Sequence, residues 1–191
     1  MSGLIFSRKQ LKTIKRALFI IIAIYWAFFC CVFFYRSFLR AFVYPTEYKE
    51  IVKTHAEVYS LDKNLVFAVI KVESGFKEKS QSGKGAKGLM QITDATAEYI
   101  AKKIGLDDYD LFTANDNILL GCYYLRYLLD GFNDLKTALY AYNAGEGRVR
   151  EWLNNEEYSK EGKTLFTVPY TETREYAVKI LKTFSKYEKL Y

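Results

Sequence analysis

The sequence predicts a mainly α-helical protein in which one N-terminal transmembrane helix precedes a single compact helical domain. Residues 17–35 form a run of 19 uncharged, mostly apolar residues, which is long enough to cross a membrane once. Apolar residues recur at helical spacing through most of residues 46–191, and no segment sustains the alternation expected of strands. We therefore expect four parts: a basic cytoplasmic N-terminus (1–16), a transmembrane anchor (17–35), a connector (36–45) and a helical domain (46–191).

The positive charge of the chain lies around the predicted anchor. The net charge is +6, and residues 1–40 contain seven basic residues and no acidic one, so the rest of the chain carries −1. Five basic residues precede the apolar run and two follow it, which places the N-terminus in the cytoplasm and the domain on the extracytoplasmic side of the cell membrane. Nothing in residues 41–191 concentrates a basic face, so no nucleic-acid partner is predicted.

A cleaved signal peptide is the alternative interpretation of the apolar run. Signal peptides have shorter apolar regions, of about 7–15 residues, and end at small residues that a peptidase recognises. The run here ends in Phe33, Phe34 and Tyr35, which offer no such site. We therefore interpret the segment as an uncleaved anchor.

Capping residues predict where the helices of the domain begin and end. Ser, Thr and Asp begin helices because their side chains accept hydrogen bonds from the first backbone amides, and glycine commonly ends them. The predicted helices are Thr46 to about Ser60, Asp62 to Glu73, Asp94 to about Lys103, a long helix from Thr113, Asp134 to Asn143, a short helix at 147–154, and Thr171 to Leu190. Residues 155–168 are polar and are predicted to be irregular.

Glu73 is the candidate catalytic acid. Leu65, Val69 and Glu73 are spaced by four residues, so they lie on one helical face, and Gly75 ends the helix. A carboxyl group in apolar surroundings has a raised pKa and stays protonated near neutral pH, as a general acid must. The alternative from this segment alone is a glutamate in the last helical turn that points into solvent.

The histidine, the cysteines and a glycine-rich loop limit the kinds of functional site that the domain can contain. His55 is the only histidine, which argues against a Ser-His-Asp triad and against a histidine-rich metal site. Cys30 and Cys31 lie in the anchor and Cys122 is alone in the domain, so the domain has no internal disulfide. A glycine-rich loop at residues 82–91 ends in Leu89-Met90-Gln91 and is followed by Ile92. The apolar residues Leu89, Met90 and Ile92 are expected to bury the second half of the loop.

Five ordered motifs resemble one protein family. They are Glu73-Ser74-Gly75-Phe76; Ser82-x-x-Gly85-Ala86-x-Gly88-Leu89-Met90-Gln91-Ile92; Asn117-Ile118-x-x-Gly121-x-x-Tyr124-Leu125; Ala141-Tyr142-Asn143-Ala144-Gly145; and Pro169-x-x-Glu172-Thr173-x-x-Tyr176. Together they resemble the family 1 catalytic domain of soluble-lytic-transglycosylase type, which has a goose-lysozyme-like helical fold. Lys77-Glu78 and Thr93-Asp94 stand where the family often has proline, a departure that affects loops.

The resemblance implies a peptidoglycan lytic transglycosylase and a role for each matched position. Glu73 would be the single acid/base at the bond between N-acetylmuramic acid and N-acetylglucosamine, and the substrate's own C6 hydroxyl would close a 1,6-anhydro ring. Ser82 would orient the muramic N-acetyl group, Gln91, Tyr142 and Asn143 would line the site, and Glu172 would hydrogen-bond within the cleft. No metal or organic cofactor is implied. The implied partners are peptidoglycan strands and the cytoplasmic membrane, and a partner in the cell-envelope machinery is left open.

Two other functions remain open on the sequence. A muramidase on the same fold would use water instead of the C6 hydroxyl. A non-catalytic glycan-binding module would have kept the fold without the reaction, although Glu73, Ser82, Gln91 and Tyr142 are all present.

Overall fold

The computed structural model describes residues 7–191, which divide between Pro45 and Thr46 into two compact units. Within the described residues the regular structure is helical, with two isolated β-bridges and no strand. This confirms the predicted mainly α class. The helices are α1 (Arg8–Phe38), a π-helical turn (Leu39–Val43), α2 (Lys49–Val58), α3 (Lys63–Glu73), α4 (Asp94–Ile104), α5 (Ala114–Phe132), α6 (Leu135–Ala144), α7 (Glu146–Leu153) and α8 (Thr171–Leu190).

The described part of the N-terminal unit consists mainly of one long apolar helix. Ser7 caps α1 by a reciprocal pair of hydrogen bonds with Gln10, and none of the helix residues is buried. The segment Arg8–Val43 is long and apolar enough to cross a membrane, as judged by length and composition. The π-helical turn covers Leu39–Val43, so helical structure continues through most of the predicted connector.

Capping fixes the helices of the second unit largely as the sequence predicts. The side chains of Asp62, Thr113 and Asp134 each accept a hydrogen bond from a backbone amide in the first turn of α3, α5 and α6. Gly105 ends α4 in a left-handed conformation and Gly145 follows α6. The final helix, Thr171–Leu190, has the predicted bounds, and the short helix starts one residue earlier than predicted.

Two predicted helix caps are wrong. Thr46 does not cap α2, because Glu47 and Tyr48 form a turn and Tyr48 takes a left-handed conformation with φ of 59°. The helix therefore begins at Lys49. Thr93, and not Asp94, caps α4, since its hydroxyl oxygen accepts from the Thr96 amide at 3.3 Å.

The core of the second unit is built around α3. Residues 65–70 are all buried, so this short helix is covered on every side over these six residues, somewhat less than two turns. Its most extensive packing is against α8, where the rings of Phe67 and Tyr187 stack at 5.6 Å. Helix α6 packs against both α5 and α8. The ends of α3, α6 and α8 thereby come to one side of the domain.

Candidate active site

Glu73 is the last residue of α3, where the helix emerges from the core. The following Ser74 is buried, and both its amide and its hydroxyl donate to the carbonyl of Ile70. Gly75 and Phe76 then take left-handed conformations, with φ of 60° and 67°, and Phe76 returns to the core at 6% exposure. This turn ends the helix and leaves Glu73 at the edge of the apolar interior.

The carboxyl group of Glu73 is held by α8. The Tyr176 hydroxyl donates a hydrogen bond of 2.5 Å to Oε1 of Glu73. Burial raises the pKa of Glu73 from its usual 4.5 to about 7, while the hydrogen bond from Tyr176 and the positive charge of Lys179 act in the opposite direction. The net pKa shift is upward, because the Glu73 carboxylate loses more stabilisation from hydration on burial than Tyr176 and Lys179 give back. The predicted raised pKa of Glu73 is confirmed.

No other carboxylate contributes to the pKa shift of Glu73 among the described residues. Glycosidases that use two carboxyl groups place them about 5–9.5 Å apart, and two such charges at the shorter distances raise one pKa strongly. Glu73 is therefore electrostatically a solitary acid. A carboxyl group with a pKa of about 7 can donate one proton near neutral pH and later recover it.

Asn117 of α5 fixes the glycine-rich loop beside the site. Its side-chain oxygen accepts from the Met90 amide at 2.7 Å, and its nitrogen donates to the carbonyls of Lys87 and Leu111 at 2.9 and 2.8 Å. Gly88 lies against it with φ of 76°, where an added Cβ would come within 2.1 Å of the Asn117 amide nitrogen. A fully buried side-chain amide thus supports this loop together with the two β-bridges, which pair Lys87 with Gln81 and with Ile92.

The second half of the loop is buried, as the sequence predicts. Leu89, Met90 and Ile92 are each at most 1% exposed. Between them, Gln91 takes a left-handed conformation with φ of 52° and donates from its side-chain nitrogen to the carbonyls of Gly88 and Ser80. The second half of the loop is therefore packed into the domain.

A cavity of about 250 Å³ opens between the loop, the start of α4, the middle of α5 and the end of α6. Three of the predicted site residues, Gln91, Tyr142 and Asn143, lie on its wall. The complete lining is Gln91, Ile92, Thr93, Thr96, Tyr124, Tyr142, Asn143, Ala144 and Gly145. Aromatic rings, amides and hydroxyls of this kind suit a neutral, hydroxyl-rich ligand.

Tyr142 and Asn143 are held by partners outside α6. The Tyr142 hydroxyl donates to the Met90 carbonyl at 2.8 Å, and Asn143 Oδ1 accepts from the Thr173 hydroxyl at 2.7 Å. Burial first, and then the negative charge of Glu73, raises the pKa of Tyr142 well above its usual range. The cavity wall and Glu73 are therefore close enough to interact electrostatically.

Ser82 and Glu172 do not line the cavity. Ser82 is exposed, and its Oγ accepts from the Ala86 amide at 3.1 Å. The side chain of Glu172 is 73% exposed, and its Oε2 lies 3.8 Å from Nζ of Lys84. Lys84 is two residues after Ser82 in the sequence. The ion pair therefore places Ser82 and Glu172, both predicted site residues, near each other at one exposed edge of the domain.

The structure adds two residues to the candidate site. Tyr176 holds the carboxyl group of Glu73, and Asn117 holds the loop that carries Gln91. Both belong to the motifs of the resemblance, which was the only sequence signal available for them. The sequence analysis assigned neither residue a role of its own.

The helical fold and the solitary acid at the end of a buried helix are those of a lysozyme-like domain. A sequence model described as Transglycosylase SLT domain matches residues 50–166. The chain belongs to this family.

Similar proteins support the assignment to this family. Over 144 residues the chain is 33% identical to a soluble lytic murein transglycosylase of Salmonella typhimurium, in an alignment covering 72% of this chain and 22% of the relative. It is 34% identical over 119 residues to a membrane-bound lytic murein transglycosylase F of Desulfosudis oleivorans, covering 59% of this chain and 25% of that one. An inactive mutant of lytic transglycosylase Slt from Pseudomonas aeruginosa superposes with a TM-score of 0.68 at 32% identity, covering 76% of this chain and 24% of that structure. The chain thus spans about a quarter of the length of these relatives.

Proposed function

We propose that this protein is a membrane-anchored peptidoglycan lytic transglycosylase. It cleaves the β-1,4 bond between N-acetylmuramic acid and N-acetylglucosamine and leaves a 1,6-anhydro-muramic end. Family membership supports the substrate class, because the similar proteins are named as murein transglycosylases. The observation that carries the proposal is Glu73, an acid whose pKa is raised to about 7, which Tyr176 holds in place.

The reaction uses Glu73 twice. Protonated Glu73 gives its proton to the glycosidic oxygen as the bond from that oxygen to C1 of the muramic residue breaks. The substrate's acetamido carbonyl oxygen stabilises the electron-poor C1, which accounts for the solitary acid. The C6 hydroxyl then bonds to C1 and returns its proton to the Glu73 carboxylate. Glu73 ends as it began, and no water is consumed.

The proposed substrate contacts divide between the cavity and the exposed edge. Gln91, Tyr142 and Asn143 bind the glycan within the cavity, which they line. Ser82 orients the muramic N-acetyl group, and Glu172 hydrogen-bonds to the glycan after leaving Lys84. An exposed ion pair such as Lys84–Glu172 is worth at most about 1 kcal/mol, so exchanging it for a substrate contact costs little.

The apolar segment Arg8–Val43 supports the proposed anchor. We place residues 1–16 in the cytoplasm, residues 17–35 in the membrane and the domain of residues 46–191 outside, where peptidoglycan lies. Protease added to intact spheroplasts is then expected to digest the domain and to leave a C-terminal epitope undetected. Protection of that epitope until the cells are lysed would contradict this orientation.

Digestion of purified sacculi by the detergent-solubilised full chain tests the reaction. Mass spectrometry is expected to find 1,6-anhydro-muramic products, which are lighter than the hydrolytic products by one water. Reducing muramic ends alone would identify a muramidase. Glu73→Gln should lower the rate by at least about 100-fold, whereas Glu57→Gln, on the exposed face of α2, serves as the matched control.

A further inference from the structure

Four tyrosine rings form a continuous row that leads from the cavity to the surface. We call Tyr142, Tyr124, Tyr127 and Tyr99 the tyrosine row. The ring centroids of Tyr142 and Tyr124 are 5.3 Å apart, those of Tyr124 and Tyr127 are 6.5 Å apart, and those of Tyr127 and Tyr99 are 6.0 Å apart. The first two rings line the cavity, and the last, Tyr99, is 43% exposed. The row therefore continues the cavity wall outward.

The outer half of the row is set by helical spacing on two helices. Tyr99 comes three residues after the cavity residue Thr96 on α4, and Tyr127 comes three residues after the cavity residue Tyr124 on α5. Residues three apart lie on one helical face. On each helix, the face that lines the cavity therefore continues for one more turn, and a tyrosine lies on that turn.

Tyr127 is fixed by a charged partner at the cavity edge. Its hydroxyl donates to Oε2 of Glu146 at 2.9 Å, and Oε1 of the same carboxylate accepts from Arg150 at 2.7 Å. Glu146 directly follows the cavity residue Gly145, and its side chain is 26% exposed. The Tyr127 ring is held in place, and a partly exposed carboxylate lies beside it.

Sugar rings fit such a surface. A β-linked pyranose presents C–H groups on its faces and hydroxyl or amide groups at its edges, so it stacks on an aromatic ring while its edge bonds to polar groups. Lys103 lies 5.5 Å from the Tyr99 ring centre, but an exposed contact of this kind is worth only about 0.5–1 kcal/mol, so a sugar face can replace it.

We propose that Tyr99 and Tyr127, with Glu146 beside them, form a further saccharide subsite for the glycan strand that leaves the cavity. The proposal rests on the proposed function, since the occupant is the same peptidoglycan strand. The subsite makes cleavage depend on strand length, because only longer strands reach from the cavity to Tyr99.

Stem-free glycan strands of two lengths test the subsite with the detergent-solubilised full chain. For Tyr99→Ala, the ratio of kcat/KM on long strands to kcat/KM on a tetrasaccharide should fall by on the order of 10-fold, the size of one lost stacking contact. Tyr99→Trp, which keeps a ring, should restore most of the ratio. Tyr191→Ala, which removes a ring of similar exposure (47%) at the end of α8, is the matched control and should leave the ratio at the wild-type value.

An unchanged ratio in Tyr99→Ala would overturn the subsite while leaving the proposed function intact. So would equal losses on both substrates, which indicate a general structural effect. If the wild-type chain cleaves neither substrate, the proposed reaction fails instead, and calorimetric binding of the long strands decides the subsite separately. Equal affinity of wild type and Tyr99→Ala would then refute it.

Discussion

The Tyr176 hydroxyl donates a 2.5 Å hydrogen bond to the Glu73 carboxylate across 103 positions of sequence. The bond joins the end of α3 to the first half of α8, the pair of helices with the most extensive packing in the second unit. Tyr176 is itself buried at 9% exposure, and burial raises the pKa of its phenol well above the usual range. It therefore remains a hydrogen-bond donor throughout the pH range in which Glu73 titrates.

Replacing Tyr176 with phenylalanine should change the pH dependence of the reaction. The hydrogen bond lowers the pKa of Glu73, so its loss should raise that pKa above about 7. The alkaline limb of the pH–rate profile, where the acid loses its proton, should therefore move to higher pH. Loss of positioning should also lower kcat. A profile of the same shape and position as that of the wild type would contradict the assigned role, and Tyr123→Phe on α5 provides the comparison.

Replacing Glu73 with glutamine should stabilise the folded protein at alkaline pH. The folded pKa of about 7 lies above the usual 4.5, so the native state binds more protons than the unfolded state between these values. The free energy of unfolding of the wild type should therefore fall as pH rises from about 4.5 to about 7 and then level off. At about 1.4 kcal/mol per pKa unit, the loss of unfolding free energy in the wild type reaches at most about 3.5 kcal/mol.

Denaturation followed at acidic and alkaline pH measures this effect. The difference between Glu73→Gln and wild type should be near zero below the unfolded pKa and largest above about pH 7. A pH-independent difference would show that the carboxyl group titrates normally in the folded state. The neutral amide retains an oxygen that can accept from Tyr176, so the geometry is preserved.

Replacing Asn117 with alanine should loosen the loop that carries Gln91. The substitution leaves the Met90 amide and the carbonyls of Lys87 and Leu111 without their side-chain partner. The Lys87 carbonyl still accepts from the Ile92 amide, so two groups lose their partner, the Met90 amide and the Leu111 carbonyl. Since a buried polar group without a partner costs about 1–3 kcal/mol, we expect a loss of at least about 2 kcal/mol in unfolding free energy. Hydrogen exchange at the Met90 amide should accelerate. Asn115→Ala, at an exposed position on the same helix, should leave that amide protected.

Two glycines of α5 should respond oppositely to alanine. A Cβ at Gly121 would lie 2.3 Å from Sδ of Met90, whose carbonyl accepts from Tyr142, so Gly121→Ala should destabilise the domain by about 1–3 kcal/mol. A Cβ at Gly131 would meet only the end of the Arg150 side chain at 3.2 Å. Gly131→Ala should therefore be neutral or stabilise by up to about 1 kcal/mol. Thermal melting of both variants measures the contrast, and equal shifts would contradict the close packing at Met90.

Replacing Glu172 with glutamine should affect substrate binding more than folding. The carboxylate is exposed and its ion pair with Lys84 is long, at 3.8 Å, so the stability change should stay below about 1 kcal/mol. If Glu172 binds the glycan as proposed, KM should rise while the melting temperature changes little. A wild-type KM would remove Glu172 from the proposed substrate contacts.

Local sequence patterns determined the helices and the position of the candidate acid. Caps such as Asp62, Thr113 and Asp134 act within one helical turn, and the apolar stripe from Leu65 to Val69 leads to Glu73 along a single helix. Such features need no information about distant residues. The left-handed conformation of Tyr48 was not predicted, because tyrosine rarely takes that conformation and no local sequence signal indicates it.

Only the tertiary structure decided how the acid is held and where the other site residues lie. Tyr176 meets Glu73 because α3 packs on α8, and the raised pKa of Glu73 follows from burial that this packing completes. The same packing left Ser82 and Glu172 at an exposed edge while Gln91, Tyr142 and Asn143 came to line one cavity. Burial and long-range hydrogen bonds arise only when helices from distant parts of the chain pack together. The sequence pattern therefore identified these residues as candidates but did not predict their relative positions.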